Sequence, residues 1–199
     1  MGDLLSRREV PRSFHSVTNI EIDENEAVEL PKMTWMGTVE CELDDLMYGI
    51  VSQSDEVTRI NSSYSGNDIQ DFATLASLET STPSDPFHGL QLKWEVNSAL
   101  TKAKPVWHHR DFVYLEATGI TTSSAAGQRI GYQILHSLDM RNAPELTQCK
   151  LIRGKVTIYQ VFRQKSKGTV EVFAKAMVDL GGNVPASMGS FATIEAANS

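Results

Sequence analysis

From residue 90 to residue 178 the chain is a succession of strand-length segments joined by short polar links, and it then closes on one amphipathic stretch. Segment 90–97 is the clearest. Leu90, Leu92, Trp94 and Val96 share one face and Gln91, Lys93, Glu95 and Asn97 the other, the alternation of a strand with unlike surroundings. Further strands are predicted over 112–118, 130–138, 150–162 and 169–178, with turn-like links at Ser123-Ser124-Ala125-Ala126-Gly127 and Gln164-Lys165-Ser166-Lys167-Gly168. A parallel sheet needs a crossover helix between each pair of strands, so such short links dictate antiparallel pairing in a meander.

The first half is less regular. Residues 1–12 are polar, carry Pro11 and read as a flexible arm, leaving 13–199 as one domain. Weak alternation predicts a strand over 14–22, an acidic turn follows over 23–29, and a second strand is predicted over 33–40. Apolar residues at helical spacing after acidic ones predict a short helix over 43–51. A strand over 72–78 is separated from 90–96 by Ser81-Thr82-Pro83-Ser84-Asp85-Pro86, a loop by its two prolines. The closing segment 183–197 predicts a helix, with Asn183 as cap, Pro185 in the first turn, and Val184, Met188, Phe191 and Ile194 in one stripe. Gly189 weakens that helix by about 1 kcal/mol relative to alanine, so it must be held by packing against the sheet. Strands followed by one helix make an α+β domain.

Composition removes several classes of function. The formal charge is −7 and the 18 Lys and Arg form no run, which excludes the concentrated basic surface that nucleic acid requires. Only Arg7, Arg8 and Arg12 cluster, in the arm. Cys41 and Cys149 lie far apart and match no zinc or redox spacing, as expected of reduced thiols in the cytosol. No apolar run reaches the length of about 20 residues that a bilayer span needs, and no secretory leader is evident, so the expected location is cytoplasmic. Met1-Gly2-Asp3-Leu4-Leu5-Ser6 fits the loose myristoylation pattern, with Asp3 an unfavourable neighbour. His108-His109 is no metal pair, because adjacent side chains of an extended segment point apart. No Gly-x-Ser-x-Gly elbow or Cys/His arrangement marks a nucleophile.

Three pieces recur in an informative order. Arg110-Asp111-Phe112-Val113 comes first, then Ser137 with Pro144 and Glu145 ahead of Leu151-Ile152-Arg153-Gly154, then Val178-Asp179 with Gly182 and Pro185 at the head of the closing helix. In order and spacing they resemble the START domain, the steroidogenic acute regulatory protein-related lipid-transfer module, and the resemblance extends loosely back to Phe14. It implies a helix-grip fold, a curved antiparallel sheet wrapped around the C-terminal helix with an internal apolar cavity. It further implies a lipid ligand (a sterol, phospholipid, ceramide or fatty acid), transient contact with a membrane surface, and no catalytic residue, cofactor or metal. The family's usual first helix is not evident, and the closing helix has only about 14 residues, or about 21 Å, so the resemblance is to a shortened member. Release would need an opening lid, for which the closing helix and the loop around 118–128 are the expected elements.

The same resemblance selects the lipid-binding candidates. By alternation Arg110, Phe112, Tyr114 and Glu116 share a face of their strand, and Ile130, Tyr132, Ile134 and His136 share a face of the next. The family pattern implies a carboxylate on strand 90–97 facing a basic residue on the following strand inside the cavity; the nearest matches are Glu95 with Arg110, or Lys93 with Glu116. The second arginine that several members carry at the position of Glu116 is absent, so no headgroup preference is implied. The expected set is Glu95, Arg110, Phe112, Tyr114, Glu116, Tyr132, Ile134 and His136 on the sheet, with Met188 and Phe191 on the closing helix. Plainer readings stand beside these. Lys93 and Glu95 on a solvated face would contribute roughly 0 to 1 kcal/mol, Arg110 would be a strand-end structural arginine, and Met188 and Phe191 would be ordinary core. At the level of function, two rivals remain. One is a ligand sensor or interaction module without transfer. The other is an enzyme resting on His136, Glu116 and Arg110, whose spacing does not demand it.

Overall fold

The computed structural model describes residues 17–21, 32–51, 54–65, 69–98, 108–123, 127–182 and 184. The expected arm, the whole of the acidic turn and the closing helix with Met188 and Phe191, apart from Val184, lie outside them. Strands β1 (Val17–Glu21), β2 (Lys32–Val39), β3 (Ile69–Glu79), β4 (Gly89–Asn97), β5 (Arg110–Thr122), β6 (Arg129–Ser137), β7 (Ile152–Arg153), β8 (Lys155–Ser166) and β9 (Thr169–Asp179) form one sheet. Its order is β1-β2-β9-β8-β6-β5-β4-β3, with the short β7 paired to β5. From β3 to β9 the long strands follow one another as antiparallel neighbours, as the short links require. The meander is incomplete, because β2 pairs with β9 and joins the two ends of the described chain. The pairing of β7 with β5 is parallel.

The expected single strand over 150–162 is in fact two. A short 3-10 turn (Thr147–Cys149) ends at Lys150 in the left-handed region, and the chain breaks again at Gly154. A Cβ on Gly154 would lie 2.4 Å from the Phe112 ring and 3.0 Å from the carbonyl of Asp179, so only glycine allows the backbone to pass there.

Helix α1 (Leu43–Ile50) matches its expectation. Its buried Leu43 and Met47 pack with Phe162, Val170 and Val172 in one core cluster; burying a side chain of that size is worth about 1.5–3 kcal/mol. The sheet makes room for it at Gly131, where a Cβ would lie 2.5 Å from the Met47 sulfur. Gln164, at a bulge of β8, fixes the helix start by accepting a hydrogen bond from Leu43 N at 2.7 Å, while Glu42 accepts one from Gly168 N at 2.9 Å.

Helix α2 (Asp55–Ser65) was not foreseen. Its sequence, DEVTRINSSYS, offers only Val57, Ile60 and Tyr64 at helical spacing among polar residues, a stripe thin enough for a reading by periodicity to pass over. The signal present is a start signal: Ser54 ahead of two acidic residues, with Ser54 Oγ accepting from Val57 N at 3.3 Å. Asp55 ties the helix to the edge strand β3 by accepting from Thr74 N at 3.2 Å and from Thr74 Oγ1 at 2.7 Å, and the Arg59 guanidinium stacks 4.9 Å from the Phe72 ring centre.

Candidate functional site

Register decides which side chains meet. Across the sheet Met33, Ala176, Ile158, Leu135, Glu116 and Gln91 stand in one row, on the face that carries α1. We call this the inner face. Two further apolar clusters lie on it. One gathers Met33, Trp35, Ala174 and Ala176; the other gathers Phe112, Tyr114, Val178 and Leu180, with Leu135, Val156 and Val184 against them. Val184 belongs to the segment expected to form the closing helix, and it packs onto this face.

A polar island interrupts the apolar surface. Lys93 lies opposite Tyr114, and Glu95 opposite Phe112. Lys93 and Glu116 are each only 8% exposed and form an ion pair; Gln133 Nε2 donates to the other Glu116 oxygen at 2.7 Å. Tyr114 donates its hydroxyl proton to Glu95 Oε2 at 2.8 Å. Removal from water pushes the Glu95 carboxyl above its ordinary range; the Tyr114 hydrogen bond and Lys93 oppose that, and the negative Glu116 reinforces it. Burial, aided by the same two carboxylates, pushes the Tyr114 phenol well above 10. Of the two pairings expected across these strands, Lys93 with Glu116 is the one formed, and the solvated-face reading of Lys93 is corrected by its burial. Gln133 was missed: it stands between Tyr132 and Ile134 in sequence, and only the register shows that it faces Glu116.

Arg110 does not reach Glu95. It is 3% exposed; its Nε donates to Leu180 O at 3.1 Å and its Nη1 to His108 O, and among the described residues no carboxylate pairs with it. Burial lowers its pKa from the usual guanidinium value. Tyr132, Ile134 and His136 lie opposite Gly119, Ala117 and Leu115, and so project from the other face of the sheet. Tyr132 covers Gly119, where a Cβ would lie 2.5 Å from the Tyr132 hydroxyl, and the exposed His136 pairs with Thr157 Oγ1 at 3.0 Å. The structure thus brings Glu95, Phe112, Tyr114 and Glu116 together, and does not bring Tyr132, Ile134 and His136 to them.

The residues that carried the resemblance converge on a different place, where β5, β7 and the end of β9 meet. Asp111 is fully buried. Its Oδ2 accepts from Arg153 Nη2 at 2.8 Å, from Arg153 Nε at 3.1 Å and from Trp94 Nε1 at 3.0 Å. Arg153 also holds the preceding loop by donating to Ala143 O at 3.1 Å and Pro144 O at 3.2 Å. Ser137 Oγ accepts from Val156 N at 2.9 Å. Gly181 has φ +62°, and a Cβ there would lie 2.3 Å from Arg153 O. Apart from Asp111 Oδ1, which is buried without a hydrogen-bond partner, these groups bond to one another and to the backbone around them, so the motif is a structural knot.

Among the described residues no three of His, Cys, Asp and Glu gather as a metal site, no helix is long and apolar enough to cross a membrane, and Cys41 and Cys149 are free thiols. An open cavity of about 70 Å³ lies at the β3–β4 end, lined by Ser77, Glu79, His88, Gln91 and Glu116 among others, with His88 and Glu79 paired at 2.5 Å. It is several-fold smaller than the roughly 300–1,000 Å³ of a ligand pocket.

No protein-family model matches the chain, and no curated protein matches it by sequence. Solved structures do match. Human STARD10 has a TM-score of 0.63 at 12% identity, over 96% of this chain and 72% of that one. Human StAR-related lipid transfer protein 5 has a TM-score of 0.61 at 14% identity, over 91% and 81%. A STAR-related lipid transfer protein from Xanthomonas axonopodis has a TM-score of 0.61 at 13% identity, over 92% and 90%. With this sheet order and these matches over nearly its whole length, the chain has a START-like fold.

Proposed function

We propose that the protein is a non-catalytic lipid-binding domain of the cytosol. In this reading it holds one lipid between the inner face of the sheet and the C-terminal segment, and contacts membranes transiently to load and release it. The observation that carries this reading is the inner face itself: apolar clusters that run across the sheet beside a small buried polar island. An apolar surface with a few convergent polar groups is the makeup of a lipid site, where the chain gains about 0.8 kcal/mol per buried CH₂ and the polar groups orient the head. Support also comes from the names of the similar structures, two of which are called lipid transfer proteins. The packing of Val184 onto the Phe112–Tyr114 cluster is the arrangement expected if residues 183–197 form the grip helix and lid. Glu95, Phe112, Tyr114 and Glu116, joined by Lys93 and Gln133, are then the ligand-facing residues, and Arg110 is a structural neighbour.

The test is native mass spectrometry of protein purified from cells, followed by solvent extraction and identification of the bound molecule. A stoichiometric lipid is expected. Protein that emerges empty and takes up neither sterols nor phospholipids from vesicles refutes carriage. It would favour a second reading, a ligand sensor or interaction module without transfer, for which one feature speaks: Trp35, Phe112 and Phe162 are already buried on the inner face, at 4%, 7% and 2% exposure.

A further inference from the structure

The outer face of the sheet, turned away from α1, carries an apolar patch of its own. In register, Met36, Phe173, Val161 and Tyr132 stand in one row across β2, β9, β8 and β6, and Tyr159 and Ile134 stand opposite each other in the next row. Met36, Phe173, Val161 and Tyr159 are 48%, 41%, 37% and 42% exposed, on the face where an antiparallel sheet with one buried side ordinarily shows polar groups to water. Apolar residues exposed singly need no explanation, but a contiguous group marks an interaction surface. The lipid site described above uses none of these side chains, because it lies on the opposite face.

The charges around the patch have an excess of one sign. Arg163 and Lys165 share a single carboxylate, Glu171. Lys175 is exposed beside Phe173 and opposite Tyr159, and among the described residues no carboxylate pairs with it. Residues 1–16, with Arg7, Arg8 and Arg12 against Asp3 and Glu9, join the sheet at Val17, opposite Met36. The chain as a whole carries −7, so an anionic surface would repel most of the molecule and attract this face. A second copy meeting the patch across a two-fold axis would set these cations against themselves. A bilayer with anionic lipids complements them, and its interface accepts Phe and Tyr rings. Resting on the lipid-binding reading above for the choice of a membrane over an acidic protein, we propose that the outer face of β2, β9, β8 and β6 docks on an anionic bilayer surface. Met36, Tyr159, Val161 and Phe173 enter the headgroup layer, and Lys175 and Arg163 meet the lipid phosphates. Docked so, the inner face points away from the bilayer, and holding the protein at the membrane is separable from holding its lipid.

The experiment is co-sedimentation of the full-length protein with vesicles of phosphatidylcholine alone and of phosphatidylcholine mixed with phosphatidylserine, for the wild type, Phe173→Ser and Lys175→Glu. Both positions are exposed, and circular dichroism checks that the fold is kept. The wild type is expected to bind the mixed vesicles at least about tenfold more tightly than the neutral ones, and to lose that preference as salt is raised. Lys175→Glu, which reverses one charge at the surface, should weaken binding to the mixed vesicles by about tenfold or more. Phe173→Ser should weaken it by about tenfold. The lipid that co-purifies, read by native mass spectrometry, should be unchanged in both variants. Equal binding to the two vesicle types, or binding that neither substitution weakens, overturns the proposal. A wild-type dimer in light scattering that Phe173→Ser dissociates also overturns it, because the patch then belongs to a second copy. Protein that carries lipid and yet binds neither vesicle type overturns the docking surface alone. Protein that is empty and takes up no lipid refutes the reading on which the choice of a membrane rests.

Discussion

Replacing Asp111 by asparagine tests whether the motif that carries the family resemblance holds the fold or meets the ligand. The Asp111 side chain has no exposure and that of Arg153 11%, and the carboxylate receives two hydrogen bonds from Arg153 and one from Trp94 at a single oxygen. Asn keeps the shape and removes the charge, leaving the guanidinium buried against neutral oxygens, the asparagine's own amide oxygen and the carbonyls of Ala143 and Pro144. Breaking a buried pair in this way costs about 3–5 kcal/mol, a large part of the roughly 5–15 kcal/mol that holds a domain together. At about 2–4 °C per kcal/mol for a chain of this size, the melting temperature should fall by about 6–20 °C. Urea denaturation followed by far-UV circular dichroism measures the loss. An Asp111→Leu, Arg153→Met double variant should recover most of it, because two apolar groups leave no unpaired charge. A midpoint for Asp111→Asn within about 1 kcal/mol of wild type, or a loss of lipid affinity without a loss of stability, would refute the structural assignment.

Two further outcomes follow from the packing and the charges. Gly131→Val sets a side chain against Met47 and Leu43, whose nearest atoms lie 2.5 and 3.2 Å from the added Cβ; a cost of about 1–3 kcal/mol is expected, with amide exchange over 43–50 accelerated more than in β8. Glu95→Gln should stabilise the protein in a pH-dependent way. Facing Lys93, Tyr114 and Glu116, the Glu95 carboxyl has its folded-state pKa raised above 4.5, so the native state holds the proton more tightly than the unfolded chain, and wild-type stability falls as pH rises through that raised value. The melting temperature of Glu95→Gln should therefore exceed that of wild type above this window and converge with it below pH 4.5; a difference constant with pH would show that Glu95 titrates normally.

Much of the sheet was legible because strand alternation is local. The segment 90–97 became β4 with one residue added at its start, and the predicted α1 differs only at its last residue. The candidate site was legible in half. Alternation correctly grouped Phe112, Tyr114 and Glu116, and separately Tyr132, Ile134 and His136, and yet could not say that the two groups face opposite ways. That depends on register, and a shift of one residue exchanges the faces of a strand.

The sequence by itself determined where strands and α1 form, that the strands pair largely antiparallel, and that Arg110, Asp111 and Arg153 belong to one recurring pattern, since periodicity, short links and spacing are all written along the chain. The tertiary structure decided the rest. It paired β2 with β9, split the segment around Gly154, turned Arg110 toward Leu180 and away from Glu95, and gave Lys93 to Glu116. Each of these joins residues distant in sequence, and the geometry of pairing is a property of the packed sheet that no single strand carries.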